Sequence, residues 1–460
     1  MIAAMGEVGF ARAAPPLTNV AALPRSEFSR RRRHLMAMLE HNSIAIVTAA
    51  SLSVRSRDTE YLFRQDSDFH YLSGFPEPDA VVVLVPGREH GEYLVFCHES
   101  DPGEELWHGT RVGTDAVCER FGADDAFPLA DIDEILPGLI EGRDRVYYSM
   151  GRSAEFDSRI MAWVNSIRSK VAAGAVPPGE FTDLDHLLHE QRLYKSAAEI
   201  RQMRQAAAIS VQAHQRAMRQ CRPGLFEYQL EAELLHEFAR HGAREAAYNS
   251  IVAGGANACT MHYTSNANRL RRGELVLIDA GCEFRGYASD ISRTFPVAGR
   301  FSRRQRAVYD LVLAAQRAAF SQLAPGRDWN AAHSATVDVI TAGLVDLGLL
   351  RGNVSRLIRE GAYREFYMHR VGHWLGLDVH DVGDYRPGGQ WRQLEAGMVL
   401  TVEPGLYIAP DNMRVDAGWR GIGVRIEDDV LITTEGMEIL SAGLVSEADD
   451  IEALMASRAA

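Results

Sequence analysis

Residues 368–381 have the sequence Met-His-Arg-Val-Gly-His-Trp-Leu-Gly-Leu-Asp-Val-His-Asp, which concentrates ionisable side chains in one short segment. Neutral imidazole binds transition metals and also exchanges protons near neutral pH, so histidines at this spacing can do both in one pocket. The zinc-protease pattern H-E-x-x-H is not met, because Arg370 stands where a glutamate base is required. Gly372 and Gly376 disfavour a regular helix and predict backbone packed closely around a site. The three histidines are His369, His373 and His380.

The composition is that of a globular protein with two or three domains. The chain has 460 residues, of which 46% are apolar and 24% charged, and no apolar run is long enough to cross a membrane. With 49 basic and 62 acidic side chains, the formal net charge is -13, so we expect no general surface for nucleic acid or for an anionic membrane. The basic run Arg30–Arg33 is expected to lie on the solvated face of a helix.

The five cysteines indicate a reducing environment. They are odd in number, widely spaced and without a C-x-x-C pair, so we expect free thiols in a cytoplasmic protein. Residues 1–24 include three prolines and lack the basic start and apolar core of a secretory signal. We expect them to form a loosely packed extension.

Residues 25–175 are expected to form a first domain. Short apolar runs, such as Val-Val-Val-Leu-Val at 81–85, alternate with helical patterns, which is typical of a mixed α/β sheet covered by helices. The segment 172–179, Ala-Ala-Gly-Ala-Val-Pro-Pro-Gly, has the composition of a linker. We therefore predict a linker helix over 176–195 and a second domain over 196–460.

The second domain contains an imperfect repeat. Ser196 and Glu199 form a capping-box pattern at the start of a long helix, and Ser302 and Gln305 repeat that pattern. Each long helix ends near a Pro-Gly pair, after which come a second helix and strand-like sequence rich in acids and histidines. This order predicts two related α/β halves that face each other across a cleft.

Two carboxylates are predicted to lie close together in a hairpin. The apolar run 275–279 ends in Asp279, an acid that is costly to bury without a partner. A reversal at Phe284–Gly286 would bring Asp290 back roughly opposite Asp279 and on the same face. Carboxylates placed in this way must share a proton or a cation.

Two further acids follow apolar strand patterns. The run 398–405 carries Glu403, and the run 423–429 carries Arg425 and Glu427 on one face because they are two residues apart. Ligation by oxygen atoms and a single imidazole suits manganese, cobalt or iron(II) better than a structural zinc site, which favours cysteine. The number of acids predicts two ions, about 3.5–4 Å apart, holding a hydroxide that can attack a carbonyl.

The order of these residues resembles the five metal ligands of the pita-bread metallopeptidases. The histidine run resembles the signature of their proline-directed branch, and within it the chain is most similar to the Xaa-Pro aminopeptidases, the aminopeptidase P group. The resemblance extends from about Arg25 onward and includes D-T-E-Y at 58–61 and R-Q-D-S-D-F at 64–69. The five residues are Asp279, Asp290, His373, Glu403 and Glu427.

The resemblance implies a fold and a reaction. The expected fold belongs to the α/β (α+β) class, with a mixed-sheet α/β domain followed by a pseudo-twofold pita-bread catalytic domain. The expected enzyme is a metal-dependent aminopeptidase that releases the first residue of peptides with proline in the second position. Its cofactor would be two Mn²⁺ ions, with Co²⁺, Fe²⁺ or Zn²⁺ as substitutes. Its partners would be such peptides, and neither nucleic acid nor membrane.

The resemblance also assigns roles to individual residues. Asp290 and Glu427 are expected to bridge the two ions, and Asp279 is expected to bind one of them. His373 and Glu403 would bind the other ion, and Glu403 would also assist the attacking hydroxide. The remaining residues are His262 and His380 at the scissile carbonyl, His369 in the proline pocket, and Tyr248, Tyr407 and Arg425 around the ligands.

Two residues of the first domain, Asp58 and Trp107, lie in segments that resemble parts of the family's substrate-binding region. The resemblance implies a homodimer or homotetramer. In such an assembly, Trp107 of one copy would reach the rim of a neighbouring copy's cleft and restrict it to narrow peptide ends.

Other functions share parts of this pattern. Prolidases, which cleave Xaa-Pro dipeptides, share all five ligands and the histidine run, so the metal site alone does not separate the two activities. A methionine aminopeptidase would leave the first domain unexplained, and a creatinase does not need this set of acids. A peptide-binding module on the same fold would be expected to have lost ligands.

Overall fold

A computed structural model describes residues 20–457. Over this range the chain forms two compact units, one of Ala22–Arg192 and a second that contains residues 20–21 and the chain from Leu193 onward. The extension expected over residues 1–24 lies mostly outside the described residues. The segment 176–195, expected as a linker helix, contains a strand and a helix. No helix of the described range has both the length and the apolar character needed to cross a bilayer.

The N-terminal unit is an α/β structure. Its helices are α1 (Arg25–Met38), α2 (Ser67–Ser73), α3 (Pro102–His108), α4 (Gly113–Phe121), α5 (Ile132–Ile140), α6 (Ala154–Arg168) and α7 (Asp185–Leu193). Its strands are β1 (Ser43–Thr48), β2 (Val54–Ser56), β3 (Thr59–Glu60), β4 (Val81–Leu84), β5 (Tyr93–Cys97), β6 (Asp125–Pro128), β7 (Arg145–Tyr147) and β8 (Glu180–Thr182).

Six of these strands form one mixed sheet in the order β6-β5-β4-β1-β7-β8. Strand β4 is antiparallel to β1 and β5, whereas the outer pairs are parallel. The central strands are apolar on both faces, and Val83, Leu94 and Phe96 are fully buried. Buried residues of α5 and α6 pack against one face of the sheet. The predicted mixed α/β domain is confirmed.

The prediction that the basic run in α1 is solvated is wrong for half of the run. Arg30 and Arg33 are exposed, but Arg31 and Arg32 are buried. The Arg31 guanidinium lies 4.0 Å from the centre of the Tyr71 ring and donates to the Tyr71 carbonyl at 3.0 Å. Arg32 lies 3.7 Å from the centre of another tyrosine ring. A planar guanidinium can be buried when it stacks on an aromatic ring and donates to a carbonyl oxygen.

The C-terminal unit contains six further helices and eleven strands among the described residues. Its helices are α8 (Ala197–Gln220), α9 (Glu227–Arg240), α10 (Arg303–Phe320), α11 (Trp329–Asp346), α12 (Val354–Arg359) and α13 (Ala448–Ala456). Its strands are β9 (Glu245–Ala246), β10 (Ile251–Gly254), β11 (Leu275–Asp279), β12 (Cys282–Phe284), β13 (Tyr287–Ala288), β14 (Ser292–Pro296), β15 (Val399–Val402), β16 (Gly405–Ile408), β17 (Ile422–Arg425), β18 (Asp428–Ile432) and β19 (Met437–Ile439).

Two helix pairs organise this unit in the predicted order. Helix α8 packs on α9, and α10 packs on α11. Both long helices begin with complete capping boxes, formed by Ser196 with Glu199 and by Ser302 with Gln305. The first helix pair precedes the sheet β10-β11-β14, and the second precedes the sheet β15-β18-β19. The predicted repeat of two α/β halves is therefore present.

The predicted hairpin forms, but with a different register. A tight turn at Arg285 and Gly286, both with positive φ, joins β12 to β13. Farther from the turn, Asp279 pairs with Ser292 and not with Asp290. The reason is the position of the turn: it is centred between residues 285 and 286, so position 279 must pair with position 292. Asp290 lies just before β14, where the ladder is interrupted.

The strand predicted over residues 423–429 is two strands. Strand β17 ends at Arg425 and pairs with β16, whereas β18 begins at Asp428 and pairs with β15. Glu427 lies in the break, and its N–H donates to the Ser292 carbonyl at 3.0 Å. The rule that residues two apart share a face holds only within one continuous strand, so it does not apply here.

The first part of the histidine-rich segment, residues 371–375, lies beside β15, and bends follow over residues 376–380. Leu375 N donates to Val399 O at 3.0 Å, and Thr401 N donates to His373 O at 2.9 Å. A β-carbon on Gly372 would lie 1.9 Å from the Thr401 carbonyl oxygen, so only glycine permits this approach. The expected absence of a regular helix and the expected close backbone packing are both confirmed.

A buried ion pair fixes the end of the histidine segment. Lys195 Nζ lies 2.9 Å from Asp381 Oδ2, and each side chain is 1% exposed. Asp381 N also donates to the Trp374 carbonyl at 2.9 Å, and Lys195 N donates to the Gly397 carbonyl at 2.9 Å. The pair therefore holds the first residues of the C-terminal unit against the loop that follows the last histidine.

We expect Lys195→Met to lower the free energy of unfolding of the C-terminal unit by about 3–5 kcal/mol, because it leaves a buried carboxylate without its cation. Urea unfolding followed by tryptophan fluorescence measures the loss. The double variant Lys195→Met, Asp381→Leu should recover much of it, since removing both charges leaves neither unpaired. An equal loss in both variants would mean that packing, and not the charge pair, holds the segment.

Candidate metal centre and active site

Acids from several strand ends and a histidine converge in the C-terminal unit. Single ligand atoms of Asp290, His373 and Glu427 all lie within 4.8 Å of one another. His373 Nε2 is 3.3 Å from Asp290 Oδ2 and 3.8 Å from Glu403 Oε1. Asp279 is the fifth member, because it shares a hydrogen-bond partner with Asp290. The five side chains predicted as metal ligands are therefore neighbours.

The shared partner of the two aspartates is Tyr248. Its hydroxyl lies 2.5 Å from Asp279 Oδ1 and also contacts Asp290 Oδ1. A hydroxyl has one proton, so it donates to only one carboxylate at a time. Arg425 Nη2 donates to the other oxygen of Asp279 at 2.6 Å. One cation and one hydroxyl thus serve a pair of buried carboxylates.

The protein's own groups do not balance the negative charge of this cluster. Burial raises the pKa of Asp279, that of Glu403 to about 7, and that of Glu427 well above its usual range. Burial acts in the same direction on Asp290, but the hydrogen bond and charge of His373 hold the pKa of Asp290 below its usual value. Divalent cations neutralise such repulsion, and oxygen-rich donors with one imidazole fit manganese-type ions.

The ring of His373 has the orientation expected of a metal ligand. Its Nδ1 lies 2.9 Å from the Trp374 carbonyl, and because a carbonyl only accepts, Nδ1 carries a proton and donates. Although burial lowers the pKa of His373, the hydrogen bond to Asp290 raises it to about 9. The Nε2 proton faces the acid cluster, where a bound ion would displace it.

A chain of hydrogen bonds joins His369 to the acid cluster. His369 Nδ1 donates to the Arg370 carbonyl at 2.7 Å, so its Nε2 is an acceptor and receives a hydrogen bond from the Tyr407 hydroxyl at 2.9 Å. Arg425 Nη1 donates to the Tyr407 oxygen at 3.0 Å. Burial lowers the pKa of His369 to about 4, so the ring is neutral near pH 7. Both of its nitrogens are engaged within the protein.

Two residues that the sequence analysis did not single out support the predicted ligands. Ser292 accepts from Arg425 Nε at 3.0 Å and donates to Glu427 Oε2 at 2.7 Å. The Asp429 carboxylate accepts from the main-chain N–H of Asp290 at 3.2 Å. Each follows a predicted ligand by two residues, and this spacing is the only local signal that could have identified them.

Glu227, the first residue of α9, fixes the loop that carries His262. Glu227 is fully buried, and its Oε1 accepts from Gly254 N and Asn257 Nδ2, each at 2.8 Å. Its Oε2 accepts from the Tyr263 hydroxyl at 2.7 Å. These partners are distant in sequence, so no local pattern could reveal the contact. The Glu227 carboxylate therefore holds one wall of the site and does not itself line the cavity.

A cavity of about 1030 Å³ opens onto the acid cluster. The predicted residues that line it are Tyr248, His262, Asp279, Asp290, His369, His373, His380, Glu403, Arg425 and Glu427. The rest of the wall includes three aromatic and two basic side chains, those of Trp329, Tyr385, Trp391, Arg370 and Arg386. The volume suits a short peptide segment.

The structure brings most of the predicted site residues together. The ring centre of His380 lies 4.2 Å from that of His373, and His262 is exposed in the same cavity. Tyr407 is buried in contact with the wall. Asp58 and Trp107 are exposed residues of the N-terminal unit and do not line this cavity.

Comparison with known proteins agrees with this geometry. Residues 201–434 match the model of metallopeptidase family M24, and residues 28–147 match that of the aminopeptidase P N-terminal domain. The chain belongs to metallopeptidase family M24. All five residues predicted as ligands are present, whereas a peptide-binding module on this fold is expected to have lost some of them.

Relatives and solved structures cover nearly the whole chain. It is 46% identical to the Xaa-Pro aminopeptidase of Escherichia coli (strain K12) over 439 residues, 95% of this chain and 99% of the relative. The structure of Pseudomonas aeruginosa aminopeptidase PepP has 62% identity and a TM-score of 0.94, over 95% and 98% of the two chains. A zinc-substituted E. coli aminopeptidase P in complex with product has 46% identity and a TM-score of 0.93, over 95% and 99%. The predicted family, pita-bread fold and metal-dependent aminopeptidase are confirmed.

We expect Glu427→Gln to reduce the bound metal from two ions to at most one per chain, because it removes a carboxylate that both ions would share. Metal content after equilibrium dialysis against MnCl₂ measures the change. Asp310→Asn, which alters an exposed acid of α10, is the matched control and should retain two ions. Wild-type metal content in Glu427→Gln would exclude a shared ligand at this position.

Proposed function

We propose that this chain removes the first residue from peptides with proline in the second position and does so with two bound metal ions. The main observation behind the proposal is that a single cavity is lined by the five predicted ligands and by the other three predicted histidines. Membership of family M24 and similarity to the E. coli Xaa-Pro aminopeptidase support the same reaction.

We assign Asp290 and Glu427 to both ions, Asp279 to one, and His373 with Glu403 to the other. Two divalent ions bound there would act as Lewis acids and would lower the pKa of water enough to supply hydroxide at neutral pH. Manganese is our first choice because carboxylate oxygens outnumber imidazole in the donor set. Cobalt, iron(II) or zinc could use the same ligands.

The chain's own residues would then handle the proton and the developing charge. Glu403 lines the cavity, 3.8 Å from both His369 Nδ1 and His373 Nε2. Its carboxylate can take a proton from the attacking water and pass it to the departing proline nitrogen. His262 and His380 are exposed in the cavity. Their imidazole N–H groups can donate to the scissile carbonyl and to the oxyanion that it becomes.

Selection for proline follows from the chemistry of its amide. The nitrogen of an Xaa-Pro bond has no hydrogen and its ring fixes φ, so a site that grips an extended main chain through that N–H rejects it. Here the His369 ring is held by bonds to Arg370 and Tyr407 and can offer only its carbon atoms to a substrate. We infer that it selects the proline ring by shape and does not supply a proton.

The acid cluster also explains why a free amino terminus would be required. A substrate ammonium gains Coulomb attraction from the carboxylate charge near Asp279 that the bound ions leave unneutralised, and an acylated terminus forfeits it. The prolidase alternative differs only in peptide length, and the match of the N-terminal unit to the aminopeptidase P domain favours longer substrates.

We expect kcat/KM for Ala-Pro-Ala to exceed that for Ala-Ala-Ala by at least about 10²-fold in the presence of manganese, because only the first presents the ring that orients the scissile bond. N-acetyl-Ala-Pro-Ala should not be cleaved, and Ala-Pro should be cleaved more slowly than Ala-Pro-Ala. Chromatographic detection of released alanine measures all four. Equal cleavage of the first two peptides would contradict proline selection, and faster cleavage of the dipeptide would favour prolidase.

We further propose that the protein is a cytoplasmic homodimer or homotetramer. Helix α3 has no buried residue, and its Leu106 and Trp107 are 79% and 80% exposed. Large apolar side chains presented together to solvent are typical of an interaction surface. We infer that Trp107, together with Asp58, narrows the cleft of a neighbouring copy. The five free cysteines fit a reducing compartment.

We expect Trp107→Ala to raise the cleavage of peptides of ten or more residues relative to tripeptides, because it widens the entrance to the neighbouring cleft. Kinetics with a set of Xaa-Pro peptides of increasing length measures the change, and light scattering gives the oligomer size. Met413→Ala, which removes an equally exposed side chain of the other unit, is the control. The proposal would be refuted if the wild-type protein is a monomer and its cleavage rates depend on peptide length in the same way as those of Trp107→Ala.

A further inference from the structure

One wall of the cavity carries positive charge that the proposed reaction does not use. Arg370 and Arg386 both line the cavity, and their guanidinium groups lie 4.8 and 4.9 Å from the centre of the Trp391 ring. We propose that these three residues, the arginine wall, bind a carboxylate on the substrate beyond the proline. The carboxylate would be either the acidic side chain of the third residue or the free carboxyl end of a tripeptide.

The two guanidinium groups keep their positive charge available. Arg370 Nη2 donates to the side-chain oxygen of Asn330 at 2.6 Å, and Arg386 Nη2 donates to the Gly389 carbonyl at 2.9 Å. Both acceptors are neutral, and within residues 20–457 neither arginine forms an ion pair with an acid. A guanidinium has five N–H donors, so both retain donors for a ligand.

The third arginine of the cavity is different. Arg425 is buried, and its three nitrogens donate to Asp279, Ser292 and Tyr407. Its charge therefore serves the ligand cluster. Within the described part of the chain, the four acids that line the cavity all belong to that cluster, whereas the unneutralised cations belong to the arginine wall. The cavity is electrostatically polarised.

A substrate carboxylate beyond the scissile bond is complementary to the arginine wall. It is attracted to the two guanidinium groups, and this attraction favours the direction of binding that places it there. Arg370 directly follows His369, the residue that we propose contacts the proline ring. The arginine wall is thus adjacent to the place where the peptide's third residue, which follows the proline, would emerge from the proline pocket. In this respect the inference rests on the proposed function.

Packing holds the arginine wall in place. Tyr385 stacks on Trp374 with ring centres 5.3 Å apart and planes 8° from parallel. The Tyr385 hydroxyl accepts from the main-chain N–H of Trp374 at 2.9 Å. Trp329 packs on the same tyrosine at 5.0 Å. Main-chain and side-chain bonds from Arg392 close the loop from Asp384 to Trp391. A binding surface that is already ordered loses little entropy when a ligand arrives.

The expected effect is moderate because both arginines are partly exposed. Ion pairs in such positions are weak individually, so we expect a preference of about three- to tenfold in kcat/KM for a carboxylate-bearing peptide at low salt. The contact lies away from the scissile bond and is the same in the ground and transition states. The preference should therefore appear in KM and not in kcat, and it should shrink as salt is added.

Two pairs of peptide substrates, assayed in the presence of manganese, test the inference and separate the two sources of carboxylate. Ala-Pro-Glu amide is compared with Ala-Pro-Gln amide for the side chain, and Ala-Pro-Ala with Ala-Pro-Ala amide for the carboxyl end. The readout is the ratio of kcat/KM within each pair, for wild type, for the double variant Arg370→Gln, Arg386→Gln, and for Arg386→Glu. Arg359→Gln, which changes an arginine on α12 outside the cavity, is the matched control.

We expect wild type and Arg359→Gln to prefer the carboxylate in at least one pair, through KM. The double variant should lose that preference, and Arg386→Glu should favour Ala-Pro-Lys amide over Ala-Pro-Glu amide. Ratios near one in wild type at low salt, or a preference that survives in the double variant, would overturn the inference. If wild type cleaves none of these peptides, it is the proposed function that fails, whereas uniform cleavage of all of them refutes only the arginine wall.

Discussion

Mutual repulsion among buried carboxylates is the constraint on which the rest of the site depends. Asp279, Asp290, Glu403 and Glu427 occupy one cluster, and burial raises the pKa of three of them. Arg425 and Tyr248 offset part of the repulsion by direct hydrogen bonds. The remaining charge is what a pair of divalent ions would neutralise, so the same groups whose repulsion destabilises the fold create its affinity for metal.

Main-chain hydrogen bonds beside the cluster give two of the predicted ligands, His373 and Glu403, a defined position. The histidine segment runs beside β15, and Glu403 N donates to the Val371 carbonyl at 2.7 Å while Thr401 N donates to the His373 carbonyl at 2.9 Å. One ladder therefore places a histidine and a glutamate together. Gly372 permits the approach, and the Lys195–Asp381 pair holds the end of the segment. Precise ligand geometry depends on this support by the surrounding structure.

The sequence was sufficient for the features that local rules govern. Capping boxes at Ser196 and Ser302, the two helix pairs and the strand-end acids all follow from short patterns. The register of Asp279 was wrong by two residues, because it depends on where the turn is centred. Burial of Arg31 and Arg32 could not be predicted, since it depends on aromatic rings distant in sequence. The buried role of Glu227 has the same cause, because its partners lie on a loop that only the folded chain brings near.

The central claim is that five side chains hold two adjacent metal ions. Anomalous diffraction from crystals grown with manganese, recorded at the manganese absorption edge, tests it most directly. The account predicts two peaks, about 3.5–4 Å apart, with Asp290 and Glu427 contacting both and Asp279, His373 and Glu403 each contacting one. A single peak, or peaks away from these five residues at saturating manganese, would contradict it.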